Sequence, residues 1–506
     1  MTDQPNNKRR DILKGALTLG TSGALAACGR SSPLATASAA DASGSYSAEV
    51  IVIGAGLAGL AAARKFVAAG KDVLVVEARE RVGGRTWNHP VASSTRGGIV
   101  EIGGQWVGPQ QDRVLAYIAE LGLSTFKTHD TGNYLDYRGG RTTQYGHIFP
   151  DPLNLGLNRI PPTDPAGAAD AEAAIVRLDQ MAGTVPLDDP TQAPNAVAWD
   201  SMTMQSWIDQ NVLTSGGAAL VTLAIESVFS VEPRDVSLLH VLFYIASAGS
   251  LENLINTGGG AQDSRIVGGS QLISIRMAQA LGPRVLLNAP VFRIDQSDSS
   301  VTVRGETFSA SGKRVVVAVP PAIAARIRYY PLLPALRDQM TQRMPMGSVI
   351  KVQCVYPAPF WRDAGLNGQA TSDTGPVKIT FDNSPPDAEY GVMMGFMEAS
   401  DGRAATELTL EQRRQATIDC FVRYFGDAAA NPLEYIELSW MNQEWTRGCY
   451  GGVFGPGAWL DFGKTLRAPV GRIHWAGTET ATVWNGYMEG AIRSGERVVE
   501  EILPLL

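Results

Sequence analysis

After a Ser- and Ala-rich stretch over residues 29–47 the chain turns abruptly apolar. Glu49 is followed by Val50-Ile51-Val52-Ile53, β-branched at every position, the pattern of a strand buried on both faces. Gly54-Ala55-Gly56-Leu57-Ala58-Gly59 comes next, then an Ala-rich, helix-prone run over residues 60–69 that Gly70 ends. Asp72-Val73-Leu74-Val75-Val76 is a second strand, closing on Glu77. These pieces predict one βαβ unit. Farther on, residues 284–294 and 314–319 read as strands among short alternating pieces, and residues 486–503 as a closing helix. The prolines of residues 161–165 and Pro320-Pro321 mark loops or crossings, and there is no internal repeat.

Glycines in G-x-G-x-x-G spacing arise by chance roughly 0.6 times in a chain with 54 glycines among 506 residues, so spacing alone decides nothing. Placement does. A strand runs into Gly54, Gly56 and Gly59 and a helix runs out of them, where a pyrophosphate meets unpaired N–H groups and needs close backbone approach. Glu77 can accept both hydroxyls of a ribose and disfavours a 2′-phosphate, which selects FAD or NAD over NADP. Ala78-Arg79-Glu80-Arg81-Val82-Gly83-Gly84-Arg85-Thr86 then offers paired glycines for a second backbone approach, with Arg85 available to neutralise phosphates. A Walker-type loop is excluded because Ala458 stands where the first glycine before Gly463-Lys464-Thr465 is required, and no G-x-S-x-G elbow occurs.

Composition narrows the rest. Lys plus Arg number 43 against 50 Asp plus Glu, a net charge of -7 that argues against a nucleic-acid partner. The four cysteines, Cys28, Cys354, Cys420 and Cys449, show no C-x-x-C spacing, and the five histidines are scattered, so neither a disulfide framework nor a metal centre is expected.

Residues 1–28 read as an export signal: Lys8-Arg9-Arg10, then a weakly apolar run over residues 15–27. Arg9-Arg10-Asp11-Ile12-Leu13-Lys14 resembles a twin-arginine signal, and Leu25-Ala26-Ala27-Cys28 a bacterial lipobox, with cleavage nearer residues 35–40 as the rival. Residues 29–47 would be a flexible tether. No later stretch reaches the roughly 18 apolar residues of a membrane helix, so lipid on Cys28 is the expected hold on a membrane, and the protein is expected in the periplasm.

The run from Glu77 to Thr86 resembles the E-A-R-x-R-x-G-G-R-x segment of the flavin-containing amine oxidases. The resemblance continues through Gly103-Gly104-Gln105-Trp106-Val107-Gly108-Pro109, Val267-Gly268-Gly269-Ser270, Pro345-Met346-Gly347-Ser348-Val349-Ile350-Lys351 and Ala476-Gly477-Thr478-Glu479-Thr480-Ala481. Gly448-Cys449-Tyr450 and Trp484-x-Gly486-Tyr487-Met488-Glu489-Gly490 are most similar to the monoamine oxidases. The resemblance implies an α/β fold: a doubly wound, Rossmann-like FAD-binding domain from residues 48–125, 267–315 and 443–506, interleaved with an α+β substrate-binding domain from residues 126–266 and 316–442.

It also implies roles. Gly54, Gly56, Gly59, Glu77, Arg79, Gly84, Arg85, Trp106, Val291, Gly477, Thr478 and Met488 would bind FAD, and Cys449 would bond covalently to it through sulfur. Tyr450 and Tyr487 match the two aromatics between which an amine reaches the flavin, and Tyr244, Ile255, Gln262, Met346 and Tyr356, with Trp106, match cavity positions. Where the family carries a lysine that holds water against the flavin, this chain has Arg326, which cannot release its proton; Lys351 is the candidate substitute. The implied reaction is oxidative deamination of a small amine, arylalkyl monoamines before diamines, with dioxygen giving hydrogen peroxide. An amine dehydrogenase serving a periplasmic carrier, an L-amino acid or polyamine oxidase, and a non-catalytic flavoprotein are the alternative readings. The lipobox reading is checked by labelled palmitate, which is expected to enter the wild type and not Cys28→Ser.

Overall fold

The structure, a computed structural model, describes residues 43–146 and 164–506. The export signal, Cys28, most of the tether and the first prolines of residues 161–165 lie outside the described residues. Val50–Ile53 is buried at all four positions, and its place explains why: it is the centre of a five-stranded parallel sheet. The strand order is Val285–Leu286, Val73–Val76, Val50–Ile53, Arg314–Val317, Ile473–Trp475.

Side chains alternate across this sheet. Val50, Val52, Val73, Val75 and Val316 pack against three helices, Leu57–Ala68, Gln271–Leu281 and Met488–Ile502. Ile51, Ile53, Leu74, Val76, Val315 and Val317 pack on the other side against Ile294, Val301, Val303 and Phe308 of a second five-stranded sheet. The Leu57–Ala68 and Met488–Ile502 helices approach so closely that a Cβ at Gly495 would stand 2.2 Å from the Ala58 carbonyl oxygen.

Three expectations about this region change. Residues 284–294 are two short strands in different sheets, Val285–Leu286 and Arg293–Gln296, because Asn288 turns left-handed (φ 52°) and Pro290 cannot donate to a ladder. Between them the Asn288 and Ala289 amides donate to the Arg79 and Glu77 carbonyls at 3.0 and 2.8 Å, so the turn anchors the loop after the second strand. Gly44–Ser47, assigned to the tether by composition, is an edge strand paired in parallel with residues 308–311. The chain also stays with these sheets past residue 315, through the Arg328–Tyr330 strand.

The remaining half is a seven-stranded sheet capped by helices. Its order is Glu434–Ser439, Val349–Tyr356, Gly391–Glu398, Ile379–Asp382, Leu366–Ser372, Asn133–Arg138, Arg141–Tyr145. The helical part centres on Leu238–Ala248, apolar around most of its circumference and buried along nearly its whole length, as a helix surrounded by others must be. No helix among the described residues is long and apolar enough to cross a membrane.

The contact at Gly495 gives a test of the packing. Gly495→Leu is expected to separate the two helices, lowering stability by on the order of 3 kcal/mol, seen as a lower melting temperature together with reduced FAD content.

Candidate active site

A single cavity of about 580 Å³ runs from the glycine turn to the helical half. At its polar end Gly54 has φ +103°, and a Cβ there would lie 2.9 Å from the Ala318 carbonyl oxygen, so no other residue fits. A Cβ at Gly56 would meet nothing: it faces open space at the N-terminus of the Leu57–Ala68 helix. Gly84, also left-handed, packs against the Cα of Gly56 and completes a side-chain-free floor. Gly59 is off the wall; its Cβ would collide with the Gly54 carbonyl oxygen at 2.0 Å, so it serves helix-to-turn packing.

Glu77 is 3% exposed, accepting the Ala55 amide on Oε2 at 2.8 Å and the Arg79 amide on Oε1 at 3.0 Å. Each oxygen keeps a lone pair for a ribose hydroxyl. Arg79 lies 3.5 Å from the same carboxylate and donates to the Thr446 hydroxyl. The open floor and the spare acceptors fit a dinucleotide, with Val291, Gly477, Thr478 and Met488 on the same wall.

Arg85 lines the cavity and has a protein partner there. Its guanidinium donates to both oxygens of Glu479, at 2.6 and 3.0 Å, and to the Tyr450 carbonyl at 2.8 Å. Burial works against its charge, and Glu479 more than compensates, so its pKa is raised. A guanidinium held this way already has its charge matched by a protein carboxylate. Glu479 is the partner that motif reading missed: it appears in the Ala476-Gly477-Thr478-Glu479 run with nothing local to mark it as half of a pair with residue 85.

Tyr450 and Tyr487 both line the cavity. Tyr450 is met edge-on by Phe396 at 5.9 Å, and Tyr487 by Trp484 at 5.0 Å, with Tyr244 tilted against it at 6.0 Å. Gly486 makes room, since a Cβ there would fall 2.1 Å from the Tyr244 hydroxyl. Burial pushes both phenols well above their ordinary range, so both stay protonated at neutral pH. Burial also pushes the Cys449 thiol up to about 12, with the Arg85 charge pulling the other way.

The helical end of the cavity is walled by Tyr244, Ile255 and Gln262, and Trp106 stands beside it, packed on Phe381 at 4.9 Å. Gln262 donates to the Leu254 carbonyl at 2.9 Å, while its own Oε1 and the Trp106 indole N–H are buried without a protein partner. Two expected wall residues are elsewhere. On the Val349–Tyr356 strand Val349 and Lys351 face the cavity, so strand alternation turns Tyr356 to the opposite side, where its hydroxyl donates to the Ala429 carbonyl at 3.0 Å. Met346 bridges to Gly452 and packs against Gly448, beneath the turn that carries Cys449 and not in the cavity.

The family model described as flavin containing amine oxidoreductase matches residues 57–503. This chain belongs to the flavin-containing amine oxidases. Flavin-containing amine oxidase B of Homo sapiens is 37% identical over 461 residues, covering 90% of this chain and 86% of that protein. Among solved structures, a wild-type putrescine oxidase bound to putrescine matches with a TM-score of 0.85 and 33% identity over 91% of this chain and 100% of that one. Cyclohexylamine oxidase from Brevibacterium oxydans IH-35A matches with a TM-score of 0.83 and 33% identity over 90% and 98%. The enzyme is an oxidoreductase of amines that uses FAD.

For an amine oxidase, the two cationic candidates are placed unequally. Arg326 lines the cavity beside Phe292 and Ile323 but is exposed. Lys351 is buried, donating to the Gly103 carbonyl at 3.0 Å and to Gln105 Oε1, 5.8 Å from the Trp106 and Phe396 rings. Burial brings its pKa down to about 7. The buried pair gives a prediction: Glu479→Ala strands a buried guanidinium and is expected to cost about 3–5 kcal/mol in thermal unfolding, with loss of FAD, whereas Arg326→Ala leaves stability near the wild-type value.

Proposed function

We propose that this enzyme deaminates primary arylalkyl monoamines oxidatively, with dioxygen as the electron acceptor. The observation that carries this reading is the wall of the helical end: between residues 134 and 262, and between 369 and 381, no lining residue among those described is Asp, Glu, Lys or Arg. A diamine would bring its second ammonium there without a carboxylate to receive it, and an amino acid its carboxylate without an arginine. Tyr134, Tyr145, Phe381 and Tyr244 instead offer faces that pack an aryl ring.

FAD, when bound, supplies the two-electron oxidation of a C–H bond next to nitrogen. The chain's part is binding, orientation and dryness. Tyr450 and Tyr487 attract a positively charged amine from solution and orient its neutral form, and as buried, protonated phenols they present no base. Imine hydrolysis then gives aldehyde and ammonia; the balance is amine, water and dioxygen to aldehyde, ammonia and hydrogen peroxide.

Covalent attachment of FAD through Cys449 belongs to the same proposal, supported by the position of Cys449 on the wall next to Tyr450 and within the field of Arg85. So does export, supported by Arg9-Arg10 and the Leu25-Ala26-Ala27-Cys28 run.

Oxygen uptake with phenethylamine, tyramine and tryptamine is expected to exceed that with putrescine by at least about tenfold in kcat/KM, one unpaired buried charge being the difference. Faster turnover of putrescine would refute the monoamine reading, and flavin bleaching without oxygen uptake would refute dioxygen as acceptor. Acid precipitation is expected to leave the flavin with wild-type protein and to release it from Cys449→Ala.

A further inference from the structure

Glu398 ends the Gly391–Glu398 strand and is buried, off the cavity wall. The Tyr450 hydroxyl donates to its Oε1 at 2.8 Å, and the Ser230 hydroxyl reaches the same oxygen at 3.3 Å. Two residues back on the same strand face, Phe396 meets the Tyr450 ring edge-on. One strand therefore holds the cavity-lining tyrosine twice, by its ring and by its hydroxyl.

The charges around this carboxyl come from four directions. Glu226 is on the Ser215–Phe229 helix, Glu232 and Asp235 follow that helix, Lys378 precedes the neighbouring strand, and Asp401 and Arg403 are on the Ala399–Ala405 helix. Both cations are already engaged: Lys378 with Asp401 at 2.7 Å and Glu226 at 3.6 Å, Arg403 with Glu232 at 2.6 Å and Asp235 at 3.8 Å. No Lys or Arg among the described residues pairs with Glu398, so its partners are two hydroxyls. Burial first, with the Glu226 charge adding to it, pushes this carboxyl up to about 8 against the pull of the Tyr450 and Ser230 hydrogen bonds and of the Lys378 charge.

We propose that Glu398 is a positioning residue for amine oxidation, acting through the Tyr450 hydroxyl, and that it makes the site respond to pH. The inference rests on the reading of Tyr450 as a wall of the amine's approach. With Glu398 neutral, the tyrosine is held by an ordinary hydrogen bond. With Glu398 ionised, the bond is charge-assisted and roughly twice as strong. The phenol is then held more firmly and its ring carries more electron density toward the amine nitrogen. Because the folded carboxyl keeps its proton to a higher pH than the unfolded one, the ionised form is reached only as pH rises through about 8.

The test uses the FAD-loaded enzyme, with two readouts from about pH 6 to about pH 10. One is the dissociation constant of 2-phenylethanol, which has no ionisable group in that range, followed by its perturbation of flavin absorbance. The other is the limiting rate of flavin bleaching by phenethylamine without oxygen. Wild type is expected to bind the alcohol about fivefold more tightly above the inflection near pH 8 than below it, the scale of one strengthened hydrogen bond. Its bleaching rate is expected to rise more steeply with pH than that of Glu398→Gln, which keeps an acceptor and loses the titration. Tyr450→Phe, which keeps the carboxyl and loses the bond, is expected to bind the alcohol without the inflection near pH 8. Lys351, on the wall 5.8 Å from the Phe396 ring and brought down to about 7, titrates alike in all three proteins. An inflection near pH 8 that survives in either variant, or one missing there from the wild type, overturns the proposal. If no amine bleaches the flavin while the alcohol's inflection behaves as expected, the monoamine reading fails and the Glu398 coupling stands.

Discussion

The buried pairing of Arg85 with Glu479 is the constraint on which the site depends. It ties together three turns that the chain visits far apart: the paired glycines before Arg85, the turn of Cys449 and Tyr450, and the turn of residues 477–480 below the last helix. Desolvating a guanidinium and a carboxylate is expensive, and two parallel hydrogen bonds with a third to a carbonyl are what offset it. The pair fixes the Tyr450 backbone relative to the floor made by Gly56 and Gly84. A tyrosine held through its own carbonyl cannot drift from the place where the cofactor lies.

The cavity joins two environments. At one end stand backbone, glycine and the acceptors of Glu77; at the other, aromatic and aliphatic side chains with unionised polar groups. Two of the charges on the wall are compensated or weakened. Arg85 is matched by Glu479, and Lys351 is pulled toward neutrality by burial. This suits chemistry in which a C–H bond is oxidised without a protein base, since ordered water and stray charge would both compete for the amine.

The sequence made the first βαβ unit legible because Val50–Ile53 and Val73–Val76 are apolar on both faces, the pattern of strands in a doubly covered parallel sheet, and the glycine turn and helix between them supply the context. Val285–Leu286 belongs to the same sheet but is too short to carry a period. Gly44–Ser47 was hidden for another reason: an edge strand pairs on one side only, and its Gly and Ser residues read as tether. Family motifs located most of the site, yet Tyr356 was misplaced by strand parity and Met346 by its turn. The roles of Glu479 and Glu398 come from partners 394 and 52 residues away, which no local pattern announces.

The parallel sheet has a consequence for biosynthesis. Its five strands are drawn from residues 50–53, 73–76, 285–286, 314–317 and 473–475, so the edge strand is synthesised only when nearly all of the chain has been made. The helix packed through Gly495 comes later still. Pairings this distant close late, after large loops have been ordered. The nucleotide floor is therefore written near the beginning of translation but has no roof until its end, and the nascent polypeptide on the ribosome cannot retain its cofactor.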